Sequence, residues 1–265
     1  MELIKQIRDI TGAGIVDCKK ALEESSNDIE KAVEILRKKG IAKAAKRGNR
    51  ETNQGIIKLA VSDDSKEGYL LEINAETDFV VLNDKFQLLA ESVLNLVKNK
   101  KPKDKEELMG LDLNGSSVQE NLENLSGVIG EKLDIKRCDV LSSDGTVAVY
   151  SHMGGKIGVS VSLDKEGQSD LAYDIAMQIA AANPRYITPK EVPAEELEKE
   201  KEIYREQLKK EGKPEEIIDK IMIGKVNKYF EDVCLVKQEY IKDDKKKVED
   251  ILGDVKIEKF IRYSL

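Results

Sequence analysis

Tryptophan is absent from this sequence, and its 265 residues include only 4 phenylalanines and 8 tyrosines. Ligand pockets are lined largely by apolar and aromatic side chains. So few rings argue against a large aromatic-lined pocket of the kind that holds a flavin or a sugar.

Cysteine and histidine are also scarce, with three widely spaced cysteines, Cys18, Cys138 and Cys234, and a single histidine, His152. No C-x-x-C pair and no Cys/His cluster is present, which argues against a zinc site and against a disulfide framework. Nucleophilic catalysis by a Cys–His or similar pair needs both residues close together, and this sequence offers almost no such pairs. We therefore predict no catalytic residue, no metal ligand, no cofactor and no enzymatic activity.

The chain lacks long apolar runs and an excess of basic charge. No run approaches the ~18 residues that suggest a membrane span, and residues 1–5 start a charged, helix-like pattern rather than a signal peptide. With 44 basic and 51 acidic residues the net charge is −7, the reverse of what proteins that coat nucleic acid usually carry. We expect a cytoplasmic protein with no membrane and no direct nucleic-acid partner.

The first forty residues predict three short helices, because apolar residues recur there at helical spacing. Residues 11–14 break the first helix, Asn27 and Asp28 are typical of the N-cap of the third, and Gly40 is expected to end it. The apolar stripes are Leu3, Ile4, Ile7 and Ile10, then Ile15, Cys18, Ala21 and Leu22, then Ile29, Ala32, Val33 and Leu36.

The pattern beyond residue 54 predicts an α+β fold, in which strands form hairpins and helices cover one face. Strand-like runs lie at 56–61, 69–75, 135–141, 146–151, 157–163 and 255–261. Helical patterns lie between them, one opened by a possible capping box of Ser117 with Glu120. The segments 69–133 and 146–182 share one order, which predicts two related α/β subdomains.

The segment 194–228 differs from the rest, because it is highly charged with sparse apolar positions and turns at Gly212-Lys213-Pro214. The heptad step from Leu197 to Tyr204 favours a projecting coiled-coil hairpin. We predict four parts, a three-helix domain with basic linker (1–54), a core N-subdomain (55–140), a core C-subdomain (141–193 and 229–265) and the inserted hairpin (194–228).

Residues 76–80, Glu-Thr-Asp-Phe-Val, are a candidate site at the junction of a strand and a helix. Nothing nearby completes a metal ligand set, and one interpretation is simply a helix start with Thr77 or Asp78 as the cap. Phe79 beside a polar cap, in a chain with so few aromatics, also fits a protruding anchor of the kind that dominates binding interfaces.

Other motifs give weaker signals for a binding function. The stretch 37–50 holds seven basic residues, including Lys43 and Lys46, and no acidic one; without interleaved aromatics it favours a solvated linker, with RNA binding as the alternative. The glycines at 12–14 lack the rest of a dinucleotide fingerprint, and Gly154-Gly155-Lys156 lacks the Ser or Thr of a phosphate loop. Both predict turns.

Four ordered motifs together resemble the elongation factor Ts family, the guanine-nucleotide exchange factors of bacterial elongation factor Tu. The motifs are Thr-Gly-Ala-Gly-Ile-Val-Asp-Cys-Lys-Lys-Ala-Leu at 11–22, Glu-Thr-Asp-Phe-Val at 76–80, His-Met-Gly-Gly-Lys-Ile-Gly-Val at 152–159, and Ala-Met-Gln-Ile-Ala-Ala-Ala at 176–182 with Pro184. Shorter matches at 202–205, 212–214 and 233–235 extend the resemblance over nearly the whole chain.

The resemblance implies a non-enzymatic factor that binds elongation factor Tu, both GDP-bound and nucleotide-free, and promotes GDP release so that GTP can bind. It implies a ubiquitin-associated-type fold for the first helices, and a segment that disturbs the partner's Mg²⁺ site. The implied Mg²⁺-dislocating residues are Thr77, Asp78, Phe79 and Val80, and the other implied contacts are Arg8, Ile15, Val16, Ile129, Gly130, His152 and Met153. It also leaves open a homodimer through the hairpin or the core.

Overall fold

The computed structural model describes residues 1–45 and 47–265, without the side chains at 41 and 43–45. Helices and short antiparallel sheets combine in it, and the predicted α+β class is confirmed. Within those residues, no helix has the length and apolar character that crossing a membrane requires.

Three helices form an N-terminal unit, residues 1–45: α1 (Glu2–Thr11), α2 (Ile15–Glu24) and α3 (Ile29–Ala45). Their apolar stripes meet in a small core built on Ile7, Cys18 and Leu22. The predicted cap is present, because Asp28 Oδ1 accepts the Lys31 amide at 3.1 Å. Leu3, Ile10 and Ile15 depart from their predicted stripes, because they are 37%, 65% and 56% exposed and lie outside this core.

Helix α3 does not end at Gly40 as the sequence predicts, but continues to Ala45. Glycine favours a helix end only where the backbone adopts a left-handed conformation, and Gly40 keeps the right-handed helical conformation. At this point α3 lies against Gly127 of a later helix. Tertiary packing therefore overrides the local signal.

The first half of the core contains a three-stranded antiparallel sheet with helices on one face. Its elements are β1 (Gln54–Val61), β2 (Glu67–Ala75), α4 (Asp78–Val81), α5 (Asp84–Lys100), α6 (Lys105–Gly110), β3 (Asp112–Leu113), β4 (Ser116–Ser117), α7 (Val118–Ile129) and β5 (Leu133–Ser142). The sheet order is β1-β2-β5. Phe86, Val93 and Ile135 are fully buried between the helices and the sheet.

The second half repeats this plan. Its elements are β6 (Thr146–His152), β7 (Ile157–Leu163), α8 (Ser169–Ala182), α9 (Ala194–Lys210), α10 (Glu215–Val233), β8 (Glu239–Tyr240), β9 (Asp243–Lys247), α11 (Val248–Leu252) and β10 (Ile257–Ser264). The main sheet has the antiparallel order β10-β7-β6. The face of α8 that carries Ile175 and Ile179 packs on it.

The two main sheets pack on each other through Ile57, Leu70 and Tyr263. The Ile57 amide also donates to the Gly155 carbonyl at 2.7 Å, which joins the start of β1 to the turn between β6 and β7. In β1, Gln54 pairs with Ala75, the last residue of β2. The end of β2 and the β6–β7 turn therefore lie at the same end of the core.

Helices α9 and α10 form the predicted charged hairpin. Leu208, Ile218 and Met222 are its buried contacts, and Arg205 pairs with Asp219 at 3.0 Å across the two arms. Helix α10 extends beyond the hairpin to Val233 and leads into the second half of the core. The four domain boundaries drawn from the sequence stay a prediction.

Candidate partner-binding surface

The short helix α4 presents two large apolar side chains to solvent. Phe79 is 82% exposed and Leu82, which directly follows the helix, is 77% exposed. Between them, Val80 and Val81 are buried in the core of the first sheet. Val80, predicted as a contact, thus has its side chain inside the protein, where it anchors the segment. We call residues 77–82 the wedge segment.

A carboxylate from another part of the chain holds the start of the wedge segment. The Thr77 amide donates to Glu131 Oε2 at 3.0 Å, and the Thr77 hydroxyl donates to Glu131 Oε1 at 2.8 Å. Thr77 occupies the N-cap position of α4, but its side chain makes no cap hydrogen bond. The predicted helix start with Thr77 as its N-cap residue is therefore confirmed, but the Thr77 hydroxyl binds Glu131 and not a backbone amide of α4.

Glu76, just before the wedge segment, is held by two groups. The Lys132 amide donates to Glu76 Oε1 at 2.7 Å, and Arg50 Nη1 lies 3.1 Å from the same oxygen. The Lys132 amide first, and then the Arg50 guanidinium, hold the pKa of Glu76 below its usual value. These contacts thereby tie the end of β2 to the segment that follows α7.

The turn between α1 and α2 lies beside the wedge segment. Gly12 adopts a left-handed conformation, with φ at 69°, and a Cβ on it would overlap the Lys85 ammonium and lie 3.1 Å from Val128 Cγ1. Lys85 belongs to the first turn of α5, three residues after Leu82. The predicted contact residues Ile15 and Val16, which follow this turn, are 56% and 65% exposed.

Arg8 is exposed in the last turn of α1. Within residues 1–45 and 47–265 its side chain makes no ion pair or hydrogen bond. Ile129 and Gly130 close α7 on the same side of the core, and Gly130 ends the helix with φ at 93°. Gly130 is exposed, whereas Ile129 is half-buried against the first core cluster.

His152 and Met153 lie on the tight turn between β6 and β7. The imidazole stacks on the Tyr150 ring and its Nδ1 lies 3.1 Å from the Tyr150 hydroxyl. Met153 has φ at 52° and is 64% exposed. Both residues are therefore presented to solvent at the end of the core where β1 starts.

The predicted contact residues thus come from four separate segments, and a chain of contacts connects these segments. Val128 and Lys85 link the α1–α2 turn to α7 and α5, Glu131 links α7 to the wedge segment, and β1 links the wedge segment to the turn of His152. The arrangement is suited to binding a protein surface through exposed apolar groups.

Sequence reasoning did not identify Glu131 or Leu82 as part of this site. Glu131 acts through a contact 54 residues away in the sequence, which no local pattern reveals. Leu82 had a signal, because three apolar residues, Val80, Val81 and Leu82, follow Phe79, and a helix of this length cannot bury all of them.

The basic stretch 37–50 is not simply a solvated linker. Arg37 pairs with Glu120 at 3.2 Å, Arg47 Nη1 donates to the Ser126 carbonyl at 3.0 Å, and Arg50 binds Glu76. These residues attach the N-terminal unit to the core. Lys46 and the Lys43 side chain lie outside the described residues.

The three cysteines are buried, and none of them belongs to the wedge segment. Burial raises the pKa of Cys138 and of Cys234 to about 11, and it also raises that of Cys18, so these thiols stay protonated. All three are buried with free thiols. Among residues 1–45 and 47–265 no group of three or more His, Cys, Asp or Glu is placed to hold a metal ion.

Comparison with known proteins identifies the family of the chain. Residues 76–265 match the family model described as Elongation factor TS. The chain is 45% identical to "Elongation factor Ts" of Clostridium perfringens strain 13 over 98% of its own length and 90% of that relative. It is 42% identical to the protein of the same name from Prosthecochloris aestuarii, over 99% of this chain and 96% of that relative. It is 45% identical to that of a Nitratiruptor species, over 99% of this chain and 91% of that relative. The chain belongs to the elongation factor Ts family.

Proposed function

We propose that this protein is a translation elongation factor that binds elongation factor Tu–GDP and accelerates release of the nucleotide. The observation that carries the proposal is the exposure of Phe79, 82%, on a segment whose neighbours are buried and whose start is held by Glu131. Leu82, three residues further on, is 77% exposed, and groups of exposed apolar side chains often mark protein–protein interaction sites. Family membership supplies the partner.

In the proposed mechanism, Asp78 and Phe79 insert into the nucleotide-binding domain of the partner and displace its bound Mg²⁺. That ion offsets the charge of the nucleotide phosphates, so its displacement weakens GDP binding and leaves the site free for GTP. Arg8, Ile15, Val16, Gly130, His152 and Met153 are the proposed surrounding contacts, Ile129 supports them at the end of α7, and Thr77 and Val80 fix the wedge segment in place.

Energetics require several of these contacts to act together. Burying one Phe side chain contributes about 1.5–3 kcal/mol, which is roughly a tenfold to hundredfold change in an equilibrium constant. Because binding free energies are reciprocal, a factor that lowers the affinity for GDP is itself bound more weakly by the GDP form, in the same proportion. A large acceleration of release therefore needs contributions from the α1–α2 turn and the His152 turn as well.

The experiment is to follow release of a fluorescent GDP analogue from elongation factor Tu, at fixed Mg²⁺ and again with Mg²⁺ chelated, with the wild-type chain and with Asp78→Ala. At fixed Mg²⁺ the wild type should accelerate release strongly and the variant much less. With the ion removed, the two should converge, since there is no ion left to displace. A deficit of the same size under both conditions would contradict the Mg²⁺ mechanism, and no acceleration by the folded wild type would contradict the function.

A homodimer through the hairpin or the core stays a prediction. Ile203, Ile217 and Ile223 are exposed on the hairpin, which supports a contact there. Sedimentation equilibrium of the wild type and of Ile223→Ala would test it, because a hairpin-mediated dimer should dissociate more readily in the variant.

A further inference from the structure

Helices α3 and α7 approach each other so closely that only glycine fits on one side of the contact. A Cβ placed on Gly127 would lie 2.7 Å from the Gly40 Cα and 3.1 Å from the Gly40 carbonyl carbon and oxygen. These are backbone atoms, which cannot rotate away as the end of a side chain can. The reverse substitution meets no such obstacle, because a Cβ on Gly40 would lie 3.8 Å from the Gly127 Cα.

Helix α7 and the residues beside it carry further contacts to the N-terminal unit and to the segment that follows it. Glu120 of α7 and Ser116, just before it, bind Arg37 at 3.2 and 3.0 Å. The Ser126 carbonyl accepts from Arg47, and Val128 lies against the α1–α2 turn. The N-terminal unit is thus docked along one side of α7, with the glycine contact at the crossing of the two helices.

A cleft of about 260 Å³ lies beside the crossing, lined by residues that include Ile10, Val33, Asn124 and Val128. Within residues 1–45 and 47–265, the buried Asn124 Oδ1 in its wall has no hydrogen-bond partner. Apolar packing between the unit and the core is therefore incomplete. The distance between the two parts depends instead on the backbone contact and on partly exposed ion pairs, which are weak.

We infer that Gly127 is a positioning residue, which sets the place of the N-terminal unit relative to the wedge segment. Helix α7 leads directly into Glu131, which holds Thr77, so one helix places both Ile15 and Val16 on one side and Phe79 on the other. A displacement of α3 changes the spacing between these contacts while leaving each part folded. The effect on GDP release rests on the proposed exchange activity, whereas the effect on the distance between the N-terminal unit and the core does not.

The expected displacement follows from contact distances. Nonbonded carbon atoms pack best at about 3.5–4.0 Å, so a methyl group on Gly127 requires α3 to move by roughly 1 Å at the crossing. Alanine favours a helix over glycine, and Gly127 has a helical backbone without positive φ. The substitution therefore does not weaken α7 itself, and its effect is confined to the contact between the helices.

The test compares Gly127→Ala with two matched glycine-to-alanine controls in the full chain. Gly40→Ala alters the other side of the same contact, where a Cβ has room. Gly224→Ala alters the hairpin helix α10 at a position where a Cβ would meet nothing within 4 Å. Spin labels on Lys19→Cys in the N-terminal unit and Asp63→Cys in the β1–β2 turn report the distance between unit and core, since the native cysteines are buried.

Gly127→Ala should shift or broaden the distance distribution between the labels, whereas both controls should match the wild type. Its acceleration of GDP release should fall by about fivefold or more, the lower end of typical coupling between sites, with the urea midpoint of the core retained. An unchanged distribution in Gly127→Ala, or an equal shift in Gly40→Ala, would overturn the inference. A shift without loss of exchange would overturn the functional role of the position. If the wild type does not accelerate release, the proposed function fails and the distances alone decide the inference.

Discussion

Replacing Phe79 by alanine should weaken partner binding without weakening the fold. The side chain is 82% exposed in the free protein, so removing it should change the free energy of unfolding by no more than about 0.5 kcal/mol, as at other surface positions. Its burial in a complex contributes about 1.5–3 kcal/mol. Affinity for elongation factor Tu should therefore fall by roughly tenfold to a hundredfold.

Calorimetric titration measures the affinity, and urea unfolding of the same preparation measures stability. Phe79→Leu keeps part of the apolar surface and should lie between the wild type and Phe79→Ala. Ile241→Ala removes another exposed apolar side chain, 43% exposed between β8 and β9, and should retain wild-type affinity. An affinity of Phe79→Ala within twofold of the wild type would refute the anchor role of this residue.

The same variant separates binding from exchange. If Phe79 and Asp78 act as a wedge, each alanine substitution should reduce the rate of GDP release more than it reduces the affinity, because the wedge acts on the nucleotide site after contact is made. Stopped-flow release of a fluorescent GDP analogue at saturating concentrations of each variant gives the rate free of binding. Equal losses in affinity and in rate at saturation would contradict the wedge.

Three further predictions concern the support of the site. Glu131→Ala removes the acceptor of two Thr77 hydrogen bonds, and a hydrogen bond to a charged acceptor contributes about 1.5–3 kcal/mol. The Thr77 amide should lose protection in hydrogen exchange, and GDP release should slow. Unchanged protection would contradict the role of Glu131 in holding the wedge segment. Phe86→Ala empties a fully buried position and should cost about 3–5 kcal/mol in urea unfolding, whereas a cost below 1 kcal/mol would contradict the packing. The Lys132 amide and Arg50 lower the pKa of Glu76 in the folded protein. Its ionised form therefore adds stability at pH values above its usual pKa of 4.5, and this stability is lost as the pH falls through the folded pKa. Glu76→Gln should be less stable than the wild type at neutral pH, and the difference in urea midpoint should shrink in acid rather than persist.

Much of the fold was predictable from the sequence where local patterns and packing agree. The capping box of Ser117 and Glu120 forms as predicted, and the predicted strands and main helices are present with ends shifted by a few residues. Gly40 was misleading, because its effect on α3 depends on Gly127, far away in sequence. The pairs β3–β4 and β8–β9 and the short helices α6 and α11 were missed, since two to six residues carry too little periodicity to detect.

The candidate site divides in the same way. Phe79 stood out by its rarity and its place beside a polar cap, which are properties of the sequence. Which of the neighbouring apolar side chains stay exposed is a matter of packing, because Val80 and Val81 are buried in the core while Phe79 and Leu82 are not. Glu131, the residue that holds the wedge segment, could be identified only from the structure, in which α7 ends beside the end of β2.

Residue types and their spacing were enough to predict the α+β order and the charged hairpin, and to recognise the family by its motifs. The tertiary structure decided which of those residues work together. Contacts such as Glu131 with Thr77, Arg50 with Glu76 and Gly127 with Gly40 join residues 26 to 87 positions apart. Such contacts depend on how whole helices and sheets pack, which the local spacing of residues does not predict.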